Sequence, residues 1–517
     1  MTAVAVAPEN ASPEVPDVCL ICEGTYPFIA GGVSSWVHDI IKGEPQVTFL
    51  VLNLGSYQGA YGPPKFKFPP NVTRFQQVFS QDAPAVPLEG AARAALERNI
   101  RNFRKLAGRR QAPSRLLAGL RRLHLDDTVD DALLADLATR DLTVTELLYS
   151  NQSFELVEEV AERVARKSSF MDLFWQMRSM NIPAVRLLSA QYEPANAFHA
   201  LSAGYAGLVG AVEGFRSGKP FLLTEHGIYS RERDIELSRA DWIPDRAKID
   251  PLEAAVPTFS PLRRLWARFF RRMSQVAYYQ ATRIVTLSEA NRQKQIADGA
   301  PAPKTLVVPN GVERTPRPAD APPIEVRTDA DLLRVGFVGR LVPIKDIMTM
   351  IRACAMALKE EPVDVRIIGP SDEDPEYASR CQQLVASLGC EGKIKFLGMQ
   401  PIGQIYEQID VLVMTSFSEG QPLVILEAFA CGVPVICTDV GCCRELIEGG
   451  PKDRHLGPSG VVTRVAVPQD TARAIVTLAR DRALLRRYGE SARQRLLASY
   501  QRSTMLESYK TLYAELA

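Results

Sequence analysis

The sequence predicts an α/β protein built from two doubly wound domains, and three observations carry that prediction. At 517 residues the chain exceeds the roughly 250–300 residues at which a single hydrophobic core stops growing. In its C-terminal half, short β-branched runs recur every ~25–35 residues with helical patterns between them, the alternation of a parallel sheet covered on both faces. Between the halves, residues 314–331 hold Pro316, Pro318, Pro322 and Pro323 with almost no apolar periodicity, which reads as a linker.

Taken in order, the first strand is expected at residues 18–22, followed in the N-terminal half by strands at 47–53, 221–224, 283–287 and 305–308. In the C-terminal half the strands are expected at 334–338, 363–369, 394–397, 411–415, 433–437 and 460–462. Residues 82–182 break the alternation with long helical patterns and read as a helical insertion. The expected organisation is therefore a disordered tail over 1–17 and an N-terminal Rossmann-like acceptor domain over 18–315 that contains the insertion. A linker at 316–331, a C-terminal Rossmann-like nucleotide domain over 332–495 and a closing helix over 496–517 that packs back on the N-terminal domain complete it. Two such domains leave a cleft at the C-terminal ends of their strands as the expected ligand site.

Composition narrows the function. Hydrophobic residues at 46% and charged residues at 23% are those of a folded globular chain, not a disordered one. Lys+Arg 61 against Asp+Glu 60 leaves a net charge of +1, which argues against a dedicated nucleic-acid binder, whose affinity rests on phosphate contacts. No run reaches the length of a membrane span, the nearest being residues 200–212, and the first 18 residues lack the basic and apolar regions of a signal peptide. Nine cysteines, an odd number, suit reduced thiols in the cytoplasm. Cys19 and Cys22 lie inside the apolar run 18–22 and read as strand residues rather than a metal or redox pair. Residues 93–122 carry ten Lys/Arg against one Glu, and 126–141 carry six Asp. They read either as solvated helix faces that neutralise each other or as a docking surface for an anionic membrane or a partner protein.

Four constellations carry chemistry. Gly339-Arg340-Leu341-Val342-Pro343-Ile344-Lys345-Asp346 follows a strand and opens a helix, so two cations lie near a helix N-terminus that also favours anions. They suit a diphosphate, or are surface cations of a loop. Thr415-Ser416-Phe417-Ser418-Glu419-Gly420-Gln421-Pro422 leads from a strand into the apolar helix 423–430, where Glu427 needs hydrogen-bond donors such as sugar hydroxyls. A capping Glu419 and a structural ion pair at Glu427 are the alternatives. Glu23 through Phe28 with Gly31-Gly32-Val33-Ser34-Ser35 joins the first strand to a helix, and its glycines permit close backbone approach to a phosphate or sugar. Thr224-Glu225-His226-Gly227 places a histidine at a strand end, as a ligand contact or a satisfied structural residue. Pro309-Asn310-Gly311-Val312 is turn chemistry. Asp372-Glu373-Asp374 has the form of a metal–diphosphate signature, but before Pro375 and a helix it reads as capping and solvation.

Together the Arg340/Lys345 pair, the Glu419-x7-Glu427 spacing, the Pro309-Asn310-Gly311-Val312 turn and the Gly31-Gly32 loop resemble glycosyltransferase family 4, of the two-Rossmann GT-B fold. The opening 23–28 and 31–38, with the helical insertion, resemble more closely the PelF family of cytoplasmic transferases for Pel exopolysaccharide. The resemblance implies retention of anomeric configuration, a UDP-sugar donor (UDP-glucose ahead of UDP-N-acetylhexosamines), a polysaccharide acceptor and no essential metal. It implies inner-membrane exopolysaccharide synthase proteins as partners, and a cytoplasmic protein working at the inner face of the membrane. On these residues it implies that Arg340 and Lys345 stabilise the departing diphosphate, Glu419 holds the donor sugar and His226 contacts the sugar near its reacting face. Glu427 would take the ribose hydroxyls, Gly31 and Gly32 would admit the phosphates, and Ser416 would sit beside the diphosphate. Gly339, Gly420 and Asn310 complete the donor-binding set. A sugar-nucleotide epimerase, which the Glu419/Glu427 spacing disfavours, or a non-catalytic nucleotide-binding scaffold of a membrane synthase complex would use the same recognition.

Overall fold

The computed structural model describes residues 14–81, 113–166, 168–244, 259–313 and 332–516. The expected tail through residue 13, the expected linker 316–331 and residues 93–112 of the basic segment lie outside the described residues. The chain divides into two compact units. The first is Met1–Val285 with Lys294–Leu306 and Thr511–Ala517, and the second is Thr286–Gln293 with Val307–Lys510.

The first unit is organised by seven strands: β1 (Val18–Glu23), β2 (Phe49–Gly55), β3 (Val72–Phe79), β4 (Ala197–Ala200), β5 (Phe221–Glu225), β6 (Arg283–Thr286) and β7 (Thr305–Val307). Their order is β3-β2-β1-β4-β5-β6-β7, and β1 runs parallel to both neighbours, with Ile21 beside Leu52 and Ala200. β3 and β4 are additions to the strands read from sequence. β4 is only Ala-Phe-His-Ala, without a β-branched residue to announce it. β3 carries Arg74, Gln76 and Gln77, polar residues that depress a strand signal. In the fold each is bonded: Arg74 to Glu193 at 3.2 Å, Gln76 Nε2 to the Gln191 carbonyl at 2.8 Å, and Gln77 Nε2 to Asn53 Oδ1 at 3.0 Å.

Between β3 and β4 lie the helices Arg115–Leu125, Asp131–Leu137, Val144–Tyr149, Asn151–Arg163 and Phe170–Ser189, where the insertion is expected, with the last helix running beyond residue 182 to Ser189. Ser114, Asp130, Thr143 and Ser150 cap their N-termini with side-chain acceptors, the local chemistry that sets where a helix begins. The described basic residues are matched within the insertion: Arg115 pairs with Asp136, Arg121 with Glu159, and Arg122 with Asp126 and Asp130. At the other end of the chain, the Tyr513 hydroxyl lies 2.9 Å from buried His199 Nδ1 of β4.

The second unit holds β8 (Leu333–Val338), β9 (Val363–Ile368), β10 (Ile394–Gly398), β11 (Val411–Met414), β12 (Val435–Thr438) and β13 (Gly460–Thr463), in the order β10-β9-β8-β11-β12-β13. All six were legible because each keeps a run rich in Val, Ile, Leu or Phe, as the strands of a covered parallel sheet do, although β8, β9 and β10 also carry Arg334, Asp364, Arg366 and Lys395. Strand order reverses between β1 and β4 in the first sheet and between β8 and β11 in the second. Such a switch point opens a crevice beyond the strands' C-terminal ends. All nine cysteines are free thiols, and burial within β1 pushes the Cys22 thiol up to about 12. Among the described residues no helix is long and apolar enough to cross a membrane.

One glycine fixes how closely β8 and β9 end together. Gly369 has φ +145°, and a Cβ there would stand 1.9 Å from the Gly339 carbonyl oxygen. Gly369→Ala is expected to lower the stability of the protein by about 1–3 kcal/mol through overpacking and backbone strain, read as a lower midpoint in urea.

Candidate active site

The site in the second unit grows from the two loops at its switch point. After β8 the chain turns at Gly339 and passes through the 3-10 turn Pro343–Lys345 into helix Ile347–Ala357. Asp346 caps that helix from a left-handed φ of 45°, its Oδ1 accepting the Thr349 N–H at 3.2 Å. The loop after β11 packs on this turn. The Phe417 N–H donates to the Ile344 carbonyl at 2.9 Å, and the Thr415 hydroxyl donates to the Asp346 carbonyl at 2.8 Å. Those contacts bring Lys345 Nζ to 2.6 Å from Glu419 Oε1, and the Ser416 hydroxyl donates to the same oxygen at 2.6 Å. Lys345 and Glu419 are only 20% and 11% exposed, so removing either leaves a partly desolvated charge. Behind them Gly441, at φ +56°, lets the chain pass against the Glu419 carbonyl, and the Cys442 N–H donates to the Gly420 carbonyl at 3.1 Å.

Asn310 joins the same loop, its N–H donating to Gln421 Oε1 at 2.6 Å. Asn310 Oδ1 and Gln421 Nε2 are buried without a hydrogen-bond partner among the described residues. Glu427 lies in helix Leu423–Ala430, whose Ile425, Leu426, Ala428 and Phe429 are buried. Its Oε2 accepts the hydroxyl of buried Tyr406 at 2.6 Å. Arg340 stands apart from the Lys345 cluster. Its guanidinium donates to both oxygens of Glu373, at 2.6 and 2.5 Å, and is half-exposed. Asp374 caps helix Pro375–Ser387, accepting the Tyr377 N–H at 2.9 Å. Among the described residues no three His, Cys, Asp or Glu side chains are grouped to hold a metal ion.

The candidate residues of the first unit also sit at strand ends. Gly31 immediately precedes helix Gly32–Gly43, and a Cβ at Gly31 would meet nothing within 4 Å, so the protein itself does not require its bare backbone. Trp36 of that helix meets His226 edge-on at 4.8 Å, which joins the glycine loop to the end of β5. The His226 ring is half-buried, yet its Nε2 is enclosed and has no hydrogen-bond partner among the described residues. Burial pushes the imidazole down to about 4, so the ring is neutral near pH 7. The preceding Glu225 is fully buried. It accepts the Tyr278 hydroxyl at 2.7 Å, Gln295 Nε2 at 2.8 Å and the Tyr229 N–H at 3.2 Å. Burial nonetheless pushes its carboxyl up to about 7.

The structure thus brings Lys345, Ser416 and Glu419 into one cluster and ties Asn310 to the Gly420 loop through Gln421. It holds Glu427 through Tyr406 and sets His226 against the helix that Gly31 and Gly32 begin. Arg340 and Lys345, paired in the sequence reading, have different partners. Sequence reasoning passed over Tyr406 and Glu225. Tyr406 lies 21 residues before its partner with no motif around it, whereas Glu225 stood beside His226 in a motif already singled out.

Two family models match the chain. The one described as Domain of unknown function (DUF3492) matches residues 16–303, and the one described as Glycosyl transferases group 1 matches residues 333–481. A D-inositol 3-phosphate glycosyltransferase of Geodermatophilus obscurus is 33% identical over 220 residues, covering 40% of this chain and 47% of the relative. An N-acetyl-alpha-D-glucosaminyl L-malate synthase of Bacillus anthracis is 29% identical over 171 residues, covering 33% and 42%. This chain therefore spans less than half the length of those two relatives. The structure of Anabaena HepE in complex with UDP and glucose aligns with TM-score 0.55 at 19% identity, covering 97% of this chain and 100% of that one. That likeness is one of fold, the two-sheet GT-B architecture.

Buried Glu225 gives a pH test. Its folded value is raised, so its contribution to stability is fully present below the ordinary carboxyl value of 4.5 and is lost as pH rises through about 7. Glu225→Gln carries no such titration. Relative to the native protein, the variant should gain stability between pH 4.5 and 7, by on the order of 2–3 kcal/mol, read from urea melts of both proteins across that range. A stability difference independent of pH would mean that Glu225 does not hold its proton in the fold.

Proposed function

Because this chain belongs to the family described as Domain of unknown function (DUF3492) and its second unit matches the glycosyl transferases group 1, we propose that it is a retaining glycosyltransferase. It moves a hexose or N-acetylhexosamine from a UDP-sugar to a growing exopolysaccharide. The observation that carries this reading is the Lys345–Glu419–Ser416 cluster at the switch point of the second sheet. A cation and a hydrogen-bond acceptor lie side by side there, and an anionic sugar donor uses both.

In that reaction the bond from the donor's anomeric carbon to the diphosphate oxygen breaks, and its electron pair stays with the diphosphate. An acceptor hydroxyl bonds to the same face of that carbon while its proton passes to the departing phosphate. Lys345 stabilises the charge that grows on the leaving group, and Arg340 adds a second cation by exchanging Glu373 for phosphate. Ser416 lies beside the diphosphate, Glu419 accepts hydroxyls of the donor sugar, and Glu427 accepts those of the ribose. Neutral His226 offers one hydrogen bond to the sugar, and Gly31 and Gly32 leave backbone open to it. Gly339, Gly420 and Asn310 shape the donor site of the second unit. No metal ion has a role in this scheme.

UDP-glucose is the first donor to try, supported by the family resemblance and by the UDP and glucose named with the HepE structure; UDP-N-acetylhexosamines come next. The PelF resemblance extends the proposal to a Pel-type polymer, to a cytoplasmic place at the inner face of the membrane, and to inner-membrane synthase proteins as partners.

Two measurements test the reading. Calorimetry in chelator should detect UDP binding, and release of UDP from UDP-glucose should require acceptor. Isomerised donor would point to an epimerase, and binding without turnover to a scaffold. Glu427→Gln should weaken UDP affinity by about 10-fold or more, the worth of a hydrogen bond to a charged group. Lys345→Ala should cut turnover by about 10²–10³-fold, as for loss of one charge-stabilising donor. Native behaviour in both variants would mean the site lies elsewhere.

A further inference from the structure

Glu427 is an awkward residue on which to rest nucleotide recognition. It stands half-buried in an eight-residue helix whose neighbouring side chains are apolar, and a free glutamate side chain rotates about three bonds. A carboxylate that receives a diol from such a position needs its plane fixed beforehand, or binding must supply that order. Among the described residues, the side chain that donates to it is Tyr406.

We infer that Tyr406 is the positioning residue for Glu427, holding its carboxylate in the orientation that receives the two ribose hydroxyls; this rests on the function proposed above. The Tyr406 hydroxyl is 2.6 Å from Glu427 Oε2 and 3.3 Å from the Val424 carbonyl. It has one proton to give, and the shorter bond, to the charged acceptor, takes it. An ionised carboxylate has about four lone-pair sites. Tyr406 occupies one, which leaves room for two hydroxyl donors from a vicinal diol. The proton stays with Tyr406, because burial and the neighbouring carboxylate raise the phenol well above its ordinary value.

The backbone that carries Tyr406 is itself held. Tyr406 begins the 3-10 turn Tyr406–Gln408, and within two residues of that turn Asp410 is clamped. Asp410 accepts the Arg334 N–H at 2.9 Å and Arg334 Nη2 at 2.6 Å, and its own N–H donates to the Arg334 carbonyl at 2.8 Å. Arg334 is a residue of β8, so the tyrosine is referred to the strand that also feeds the Lys345 loop. With its ring 2% exposed, Tyr406 acts from behind the carboxylate and does not touch the ligand.

The test compares UDP with 2′,3′-dideoxy-UDP, which keeps base and diphosphate but lacks the diol. Both are titrated by calorimetry into the full-length native protein, Tyr406→Phe, Glu427→Gln and the double variant. Tyr406→Phe should lose about 2- to 12-fold in affinity for UDP, the ordering of one flexible side chain, and nothing for dideoxy-UDP. It should add little to Glu427→Gln. Equal affinities of Tyr406→Phe and native protein for UDP, or equal losses for both ligands, would overturn the inference while leaving the proposed function standing. Unchanged UDP binding in Glu427→Gln would instead remove the reading on which it rests. Should Tyr406→Phe fold poorly, Glu427→Asp draws the carboxylate away from the tyrosine. It should lose the preference for UDP over dideoxy-UDP, and a retained preference would show that the tyrosine bond is not needed.

Discussion

A lysine and a glutamate 74 residues apart in sequence share a 2.6 Å bond in the second unit, and the Ser416 hydroxyl donates to the same carboxylate oxygen. Neither residue belongs to regular strand or to a long helix. Lys345 ends a 3-10 turn after β8, and Glu419 lies in the loop after β11, four residues before its helix. Two loops of this kind would separate in water, since an exposed ion pair contributes little. Here a backbone bond from Phe417 to Ile344 and the bond from the Thr415 hydroxyl to the Asp346 carbonyl carry the alignment. The ion pair then forms in a partly desolvated place, where an unanswered charge is expensive.

Three ionisable groups near strand ends of the first unit are treated in the opposite way. Glu225, His199 and His226 are held where the neutral form is favoured, and two of them have donors or acceptors on several elements. Glu225 alone gathers bonds from the residues around Tyr229, Tyr278 and Gln295, so the strand end that carries His226 is braced by its immediate predecessor.

The helical insertion shows where composition and packing part company. Its sequence sets a basic stretch against an acidic one, and each described member of that basic stretch has an acidic partner. Arg115, Arg121 and Arg122 meet Asp136, Glu159, Asp126 and Asp130. For these arginines the neutralising reading describes the geometry: only Arg122 and Asp126 are four residues apart, and the other pairs join residues of different elements that packing brings together. The insertion's core is leucine-rich and continuous with that of the sheet.

What the sequence determined by itself was the periodic part. Strands of a covered parallel sheet are rich in β-branched and other apolar residues, so β8 to β13 could be read off the chain despite the charges in β8, β9 and β10, and the loops that follow β8 and β11 could be nominated because motifs there sit next to strand ends. β3 and β4 escaped for the converse reason: one is polar where its side chains reach distant carbonyls, and the other is too short to have a period. The tertiary structure alone decided who meets whom. It set Lys345, not Arg340, on Glu419, gave Arg340 to Glu373, and supplied Glu427 with Tyr406. Sequence periodicity records only which face of an element is buried, and a hydrogen bond between side chains depends on where two separate elements end relative to each other, which only the packed sheet fixes.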